Sequence, residues 1–224
     1  MVDEETLAQI RKKLPAYIGT GKRYTHTLGV ERETAALGTL FADAGLFDRF
    51  DIPRLRAAAL LHDLTKQYTP EQQLQLCQRF SVQTDARLLA SPKLLHARTG
   101  AVLARELFGK QIVDARVFRA IRYHTTARAH MDLWEKLLYL ADYIEDTRTW
   151  PSCVALRQRF WCAQIEQLPP QELTAHLNTT LLCALDDTIQ TLLNEHMSID
   201  PDTIDARNDL LLHTVLHPTG KEDG

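Results

Sequence analysis

The stretch Ala57-Ala58-Ala59-Leu60-Leu61-His62-Asp63-Leu64 holds the first anomaly of this chain. An unbroken apolar run ends on an imidazole and a carboxylate. With Leu55 before it, the run predicts a compact helix over residues 53–66 that ends near Gln67. His62 and Asp63 then lie beside a buried face. An ionised carboxylate taken out of water needs a partner charge or a metal ion. The dipeptide alone also fits a satisfied surface or capping pair, so its meaning depends on what the rest of the chain brings to it.

Helical periodicity extends outward in both directions. Leu7, Ile10, Arg11 and Leu14 begin a first helix that Pro15 should end or kink. Residues 24–41 read as a long helix. Thr69-Pro70-Glu71-Gln72 is a helix start on a segment reaching Phe80. Thr69 caps, Pro70 suits the first helical position, and Gln72 closes a capping box. Ser91-Pro92 repeats that start, on a helix through His96 to Phe108 with Gly109 as its C-cap. Further helices are predicted over 112–124, 131–145, 156–167, 173–195 and 203–212. No hairpin signal occurs. The expectation is an all-α fold in one domain over residues 1–212, with a polar C-terminal tail over 213–224.

Composition narrows the class. The chain has 224 residues, 45% hydrophobic and 25% charged, which suits one ordinary globular core. Its 26 basic and 29 acidic residues leave a net charge of −3. That balance argues against sequence-independent binding to nucleic acid. Cys77, Cys153, Cys162 and Cys183 form no C-x-x-C pair, and they suit a reducing cytoplasm. Residues 1–13 are acidic and amphipathic, unlike a signal peptide. No apolar run approaches the roughly 18–20 residues of a membrane span. A cytoplasmic protein with neither membrane nor nucleic acid as partner is expected.

Four more residues join the dyad. His26, His96 and His124 each fall on a separate predicted helix, and Asp142 interrupts the very apolar run 137–144. Helix bundles build metal sites by projecting single side chains inward from several helices. Imidazole with carboxylate and no thiolate favours iron, manganese, zinc or cobalt over magnesium or calcium. Six ligands, His26, His62, Asp63, His96, His124 and Asp142, are too many for one open catalytic ion. They suit two, with one carboxylate bridging. Paired divalent ions recur in phosphoanhydride hydrolysis, where they acidify a water and hold phosphoryl oxygens.

The order His…His-Asp…His…His…Asp resembles the HD-domain phosphohydrolase superfamily. Longer stretches carry the likeness further. They are Arg23-Tyr24-Thr25-His26, Leu61-His62-Asp63-Leu64-Thr65-Lys66, Ser91-Pro92-Lys93-Leu94-Leu95-His96, Arg122-Tyr123-His124-Thr125-Thr126, Tyr139-Leu140-Ala141-Asp142-Tyr143-Ile144-Glu145 and Thr203-Ile204-Asp205-Ala206-Arg207-Asn208. Together they resemble the YqeK-type symmetrical dinucleoside tetraphosphatases, over about residues 20–212. The resemblance implies a single HD-domain helical bundle, a dinuclear centre that is iron in similar proteins, and hydrolysis of diadenosine tetraphosphate to two ADP. It further implies that His26, His62 and Asp142 bind one metal, His96 and His124 the other, and that Asp63 bridges. Manganese and cobalt remain compatible, and similar proteins tend to form homodimers. Two stretches depart from the pattern: Ala97-Arg98-Thr99-Gly100 after His96, and Asp146-Thr147 in place of a proline after Glu145.

A tetraphosphate needs further cations. Lys66, three residues past Asp63, and Arg23, three before His26, can reach the same face. Lys66 also fits a lysine complementing a helix dipole. Arg128, Arg148 and Arg207 are weaker candidates, and Thr125 and Thr126 offer hydroxyls where a helix should end. Glu135 and Lys136 read as a surface pair. His130 reads as a loop residue near the mouth, and His176, His196, His213 and His217 as exposed. Tyr139 and Tyr143 read as core residues able to support a ligand, and Trp134, Trp150 and Trp161 as core or interface. Three other functions fit the same ligands: hydrolysis of another nucleotide, a di-iron oxygenase, and a non-catalytic nucleotide sensor.

Overall fold

The computed structural model describes residues 2–85, 88, 91–161 and 164–216; Cys162 and His217 lie outside them. The elements are α1 (Glu4–Lys13), α2 (Pro15–Ile18), α3 (Lys22–Asp43), α4 (Ile52–Leu61), α5 (Pro70–Arg79), α6 (Leu95–Phe108), α7 (Ala115–Tyr123), α8 (Leu133–Ile144), α9 (Pro151–Phe160), α10 (Pro170–Asn194) and α11 (Pro201–Leu216). Short 3₁₀ turns at Arg49–Asp51, Pro92–Leu94 and Ile165–Gln167 join some of them. No strand occurs among the described residues, and the fold is all-α. Among the described residues no helix is long and apolar enough to cross a membrane.

The alanine-rich run is the hub. Leu55, Ala57, Ala58, Ala59, Leu60 and Leu61 of α4 are all buried. Small side chains let neighbouring helices approach closely, and α4 packs against α1, α3, α7 and α8. Outside this hub, α6 lies on α7, and α10 ties α8, α9 and α11 together. Buried Glu31 of α3 accepts from Arg11 Nε at 2.9 Å and from Arg56 at 2.9 Å, so α1, α3 and α4 share one ionic clasp.

Local signals place several boundaries. Thr69 and Gln72 close the expected capping box on α5, and Gly109, at φ +76°, ends α6. Pro15 kinks rather than stops the chain: Leu14 stays right-handed, and Pro15 opens α2 at a position where its missing N–H costs nothing. The helix before the dyad is shorter than expected, ending at Leu61 rather than Lys66. There His62 Nδ1 donates to the Ala59 carbonyl at 2.6 Å. The chain continues in tight turns, with Lys66 N–H bonded to Asp63 O at 2.9 Å and Tyr68 N–H to Thr65 O at 3.0 Å. The helix predicted over 156–167 lies earlier, because Pro151 starts it and Phe160 ends it. The last helix runs to Leu216, beyond the expected end at 212.

Candidate metal centre

The six side chains named from sequence meet in one cluster. His26 comes from α3, His62 and Asp63 from the turn after α4, His96 from the first turn of α6, His124 from the residue after α7, and Asp142 from α8. The imidazoles form a row: ring centroids lie 5.5 Å apart for His26 and His62, 4.9 Å for His62 and His124, and 5.0 Å for His124 and His96. His62, Asp63, His96 and His124 are buried, while His26 and Asp142 face the rim.

Each ring is held by its Nδ1. His62 donates to Ala59 O at 2.6 Å, His124 to Ile121 O at 2.7 Å, and His96 to Lys93 O. A carbonyl only accepts, so each Nδ1 carries the proton and each Nε2 presents a lone pair inward. His26 Nδ1 lies 3.0 Å from Glu145 Oε1, so a carboxylate holds this ring at the same nitrogen. This is the outer support that metal-binding imidazoles commonly have.

The inward atoms are acceptors facing acceptors. Nε2 of His96 and Nε2 of His124 stand 3.1 Å apart, and Asp63 Oδ1 lies 3.2 and 3.4 Å from them. Asp63 Oδ2 lies 3.6 Å from His62 Nε2. His26 Nε2 is 3.0 Å and His62 Nε2 3.9 Å from Asp142 Oδ1. His62 Nε2 and Asp63 Oδ1 are buried without a hydrogen-bond partner. An unsatisfied buried polar group costs about 1–3 kcal/mol, more when charged. Divalent cations between these atoms would satisfy them together. The ligand atoms of His26, His62 and Asp142, and those of His62, Asp63 and His124, each lie within 4.8 Å of one another. The donor set and its outer bonds fit divalent metal.

Electrostatics point the same way. Burial pushes His62 down to about 3, and burial with nearby Lys66 pushes His96 down to about 4, so both stay unprotonated. Burial pulls His26 down, yet hydrogen bonds with Asp142 and Glu145 outweigh it and raise it to about 9; a proton or a metal ion on Nε2 answers Asp142. Burial raises Asp63 and Asp142, but nearby positive charge holds both well below the usual carboxylate range, Lys66 beside the first and Arg148 beside the second.

The expected cations are at hand. Arg23 donates to Asp63 Oδ2 at 2.7 Å. Lys66 Nζ is 3.6 Å from Asp63 Oδ1 and 2.9 Å from His96 Nε2. Thr65 clamps the turn between them by donating to His96 O at 3.0 Å and meeting Thr99 Oγ1 at 2.9 Å. Thr125 Oγ1 reaches Nε2 of both His96 and His124, at 3.1 and 3.0 Å, whereas Thr126 only bonds the Ala127 carbonyl.

Other side chains fall differently from their sequence reading. Arg148 is part of the site, donating to Asp142 Oδ1 at 2.6 Å. Glu145, unassigned from sequence, is buried and accepts from Thr147 N–H at 2.8 Å and Thr147 Oγ1 at 2.6 Å, so the departure after Glu145 supplies its clamp. Arg128 is committed elsewhere: it grips Glu135 through two bonds of 2.6 and 2.7 Å. Glu135 and Lys136 are no surface pair, because Glu135 folds back to accept the backbone N–H of Asp132, the N-cap of α8, at 2.9 Å, and Lys136 donates to Asn178 at 2.8 Å. Arg207 pairs with Asp186.

His176 is half-buried rather than exposed, stacked on Phe160 with its Nε2 near the Phe160 carbonyl. His130 is exposed and meets Asp209 at 2.9 Å, which His213 also approaches, so its contacts lie away from the six-residue cluster. His196 and His213 are exposed as expected. Tyr139 is core, and Tyr143 donates to Asp187, which is not one of the six. Trp134 is core and Trp161 half-buried, but Trp150 is 66% exposed and lies outside the core.

The chain is similar to known proteins in sequence and fold. The HD domain matches residues 23–147. The symmetrical bis(5'-nucleosyl)-tetraphosphatase of Halalkalibacterium halodurans is 34% identical over 86% of this chain and 91% of its own. That of Bacillus subtilis is 32% identical over 89% of this chain and 92% of its own. A crystal structure from Clostridium acetobutylicum, described as a "predicted HD superfamily hydrolase involved in NAD metabolism", superposes with a TM-score of 0.77 at 30% identity, covering 92% of this chain and 97% of that one. The cluster of inward-facing imidazoles and carboxylates therefore sits within a known lineage: the chain belongs to the HD-domain family, among its YqeK-type symmetrical bis(5'-nucleosyl)-tetraphosphatases.

Proposed function

We propose that this chain hydrolyses diadenosine tetraphosphate to two ADP at a centre of two divalent ions, iron first among them. The observation that carries the reading is the row of four imidazoles, each anchored at Nδ1, with Nε2 turned toward Asp63 and Asp142. The names of the relatives support the substrate. His26, His62 and Asp142 would hold one ion and His96 and His124 the other, with the two oxygens of Asp63 turned to either side. Bound divalent ions lower the pKa of a water and clamp phosphoryl oxygens.

The chain's own residues do the rest. Arg23 and Lys66 reach across Asp63 into the cluster, where a polyphosphate would bring several negative charges. Lys66 serves best where charge builds on the attacked phosphoryl group, because a preorganised cation costs no rearrangement there. The Thr125 hydroxyl is placed to donate to a phosphoryl oxygen. Symmetrical cleavage requires water to attack a phosphorus of the central anhydride, with ADP leaving and a second ADP formed by the water.

The test is a product assay on protein purified anaerobically and loaded with Fe(II), the nucleotides being separated by ion exchange. ADP as sole product is expected. AMP with ATP would refute symmetrical attack. Absence of turnover in protein holding two metals per chain would refute this substrate and leave another nucleotide or a sensor.

A further inference from the structure

Two hollows flank the imidazole row, one at each end. At the His96 end a cavity of about 410 Å³ opens beside Lys66 and Thr125, with apolar walls from Leu94, Leu192 and Met197. At the His26 end a more open cleft of about 470 Å³ runs past Arg23 and Arg148 to Trp150. His26 and His96 are the two ends of the ring row. The hollows therefore stand on opposite sides of the acceptor cluster.

Trp150 closes the second hollow in a specific way. It caps α9, with Pro151 following, and 66% of it is exposed. A single exposed apolar side chain is ordinary on a protein surface; the location of this one is not. The Arg148 guanidinium lies 5.8 Å from the indole centroid and also donates to Asp142 Oδ1 at 2.6 Å. One arginine thus links the indole to a carboxylate of the centre, and a cation over an indole face is favourable. The cleft offers positive charge near the cluster and a flat aromatic surface at its outer end.

We infer that Trp150 is the stacking platform for one nucleoside of the substrate, while the apolar cavity beside His96 encloses the other. The inference rests on the function proposed above. A substrate cut at its middle carries a nucleoside on each side of the reacting phosphates, so the centre needs a base-binding surface at each end. The two hollows differ in kind. One is a narrower hollow with mostly apolar walls, the other a more open aromatic face with cationic walls. The Trp150 subsite should therefore be the weaker and the more tolerant of base identity, because stacking needs only a π-face.

The experiment compares Trp150→Ala, Trp150→Phe and wild type, all metal-loaded, on diadenosine tetraphosphate and on adenosine tetraphosphate, which has only one nucleoside. Base–aromatic stacking predicts a loss of roughly tenfold or more on removal of the indole. W150A should raise KM for the dinucleotide about tenfold more than KM for the single-nucleoside substrate, and W150F should restore most of it. Indole fluorescence quenching by a non-hydrolysable dinucleotide analogue should fall in W150A. Equal change on both substrates would overturn the inference, as would an unchanged KM with an altered oligomeric state. If the wild type hydrolyses no dinucleoside polyphosphate, the underlying function fails and the inference with it; if the wild type is active and W150A is indifferent, the inference alone fails.

Discussion

Replacing Gly29 by alanine sets a methyl carbon against the carboxylate that orients His26. The two positions are three apart on α3 and share a face. The new Cβ would fall 2.1 Å from Glu145 Oε2 and 3.0 Å from its Cδ, where ordinary contact begins near 3.4 Å. The carboxylate must retreat by more than an ångström. It is buried, accepts two bonds from Thr147 at 2.8 and 2.6 Å, and faces His26 Nδ1 at 3.0 Å. Bonds to a charged group are worth about 1.5–3 kcal/mol each. Losing two, less the roughly 1 kcal/mol that alanine gains over glycine inside a helix, leaves about 2–5 kcal/mol of destabilisation. In a chain of this size that lowers Tm by roughly 5–20 °C. Loss of an imidazole's outer partner should also weaken metal binding about 10–100-fold. Calorimetry and chelator competition measure the two effects. Gly21→Ala, with nothing within 4 Å of its Cβ, is the control. In a Glu145→Ala background the clash partner is gone, so the penalty of G29A should collapse. A G29A protein as stable and as metal-retentive as wild type, or one equally damaged without Glu145, would refute the reasoning.

Further outcomes follow from the same geometry. Asp63→Ala should abolish both activity and metal retention, while Lys66→Ala should keep the metal and lose roughly 10²–10³ in turnover, read by metal analysis beside steady-state kinetics; unaltered turnover would remove Lys66 from phosphate binding. Arg128→Ala strands buried Glu135 and should cost about 3–5 kcal/mol in urea unfolding while the folded fraction keeps its turnover, as a structural rather than a phosphate-binding arginine requires. Burial raises the Glu33 carboxyl above 4.5 despite its bond from Trp161 Nε1–H. A raised folded-state pKa contributes stability that is full below 4.5 and lost as pH rises through the folded value. Glu33→Gln should therefore raise Tm at pH 7 and leave it unchanged near pH 4; equal effects at both pH values would contradict this.

The metal-ligand candidates were legible because each is a polar residue in a setting that makes it costly. His62 and Asp63 close an apolar run, and Asp142 interrupts one. Capping signals were equally local, so Thr69, Gln72 and Gly109 appear where expected. What escaped depends on contacts that only the folded turns and helix packing make, some of them distant in sequence. Glu145 meets His26 across 119 residues, and nothing beside it in sequence announces the partner. Arg148 reads from sequence as a weaker phosphate candidate, the same as Arg128 and Arg207; the turn after α8 is what sets it on Asp142. Arg128 looked like a phosphate ligand for the converse reason, since its capture by Glu135 needs the α8 capping box first. Exposure of Trp150 is likewise decided by how α9 packs, not by its neighbours in the chain.

The early end of α4 joins these two levels. A helix leaves its last carbonyls without intrahelical partners, and at Ala59 and Ile121 the carbonyl is taken by the ring N–H of the histidine three residues on. One bond thus satisfies a helix end, fixes a tautomer and turns a lone pair inward. The C-terminal ends of α4 and α7 carry partial negative charge and both reach the cluster through these histidines. Apart from metal, this arrangement is costly at particular atoms: Lys66, Arg23, Arg148, Thr125 and a proton on His26 answer part of the cluster, yet His62 Nε2 and Asp63 Oδ1 stay buried without a hydrogen-bond partner. The same features that make the cluster costly as bare protein make it selective for small, highly charged cations. Binding should stabilise the fold as well as equip it for hydrolysis, because whatever binds the folded state alone adds its binding free energy to stability. Chelation should accordingly lower Tm in wild type and leave the Asp63→Ala protein indifferent to chelator, and a wild-type melt unaffected by chelation would show that the convergence is satisfied by protein groups alone.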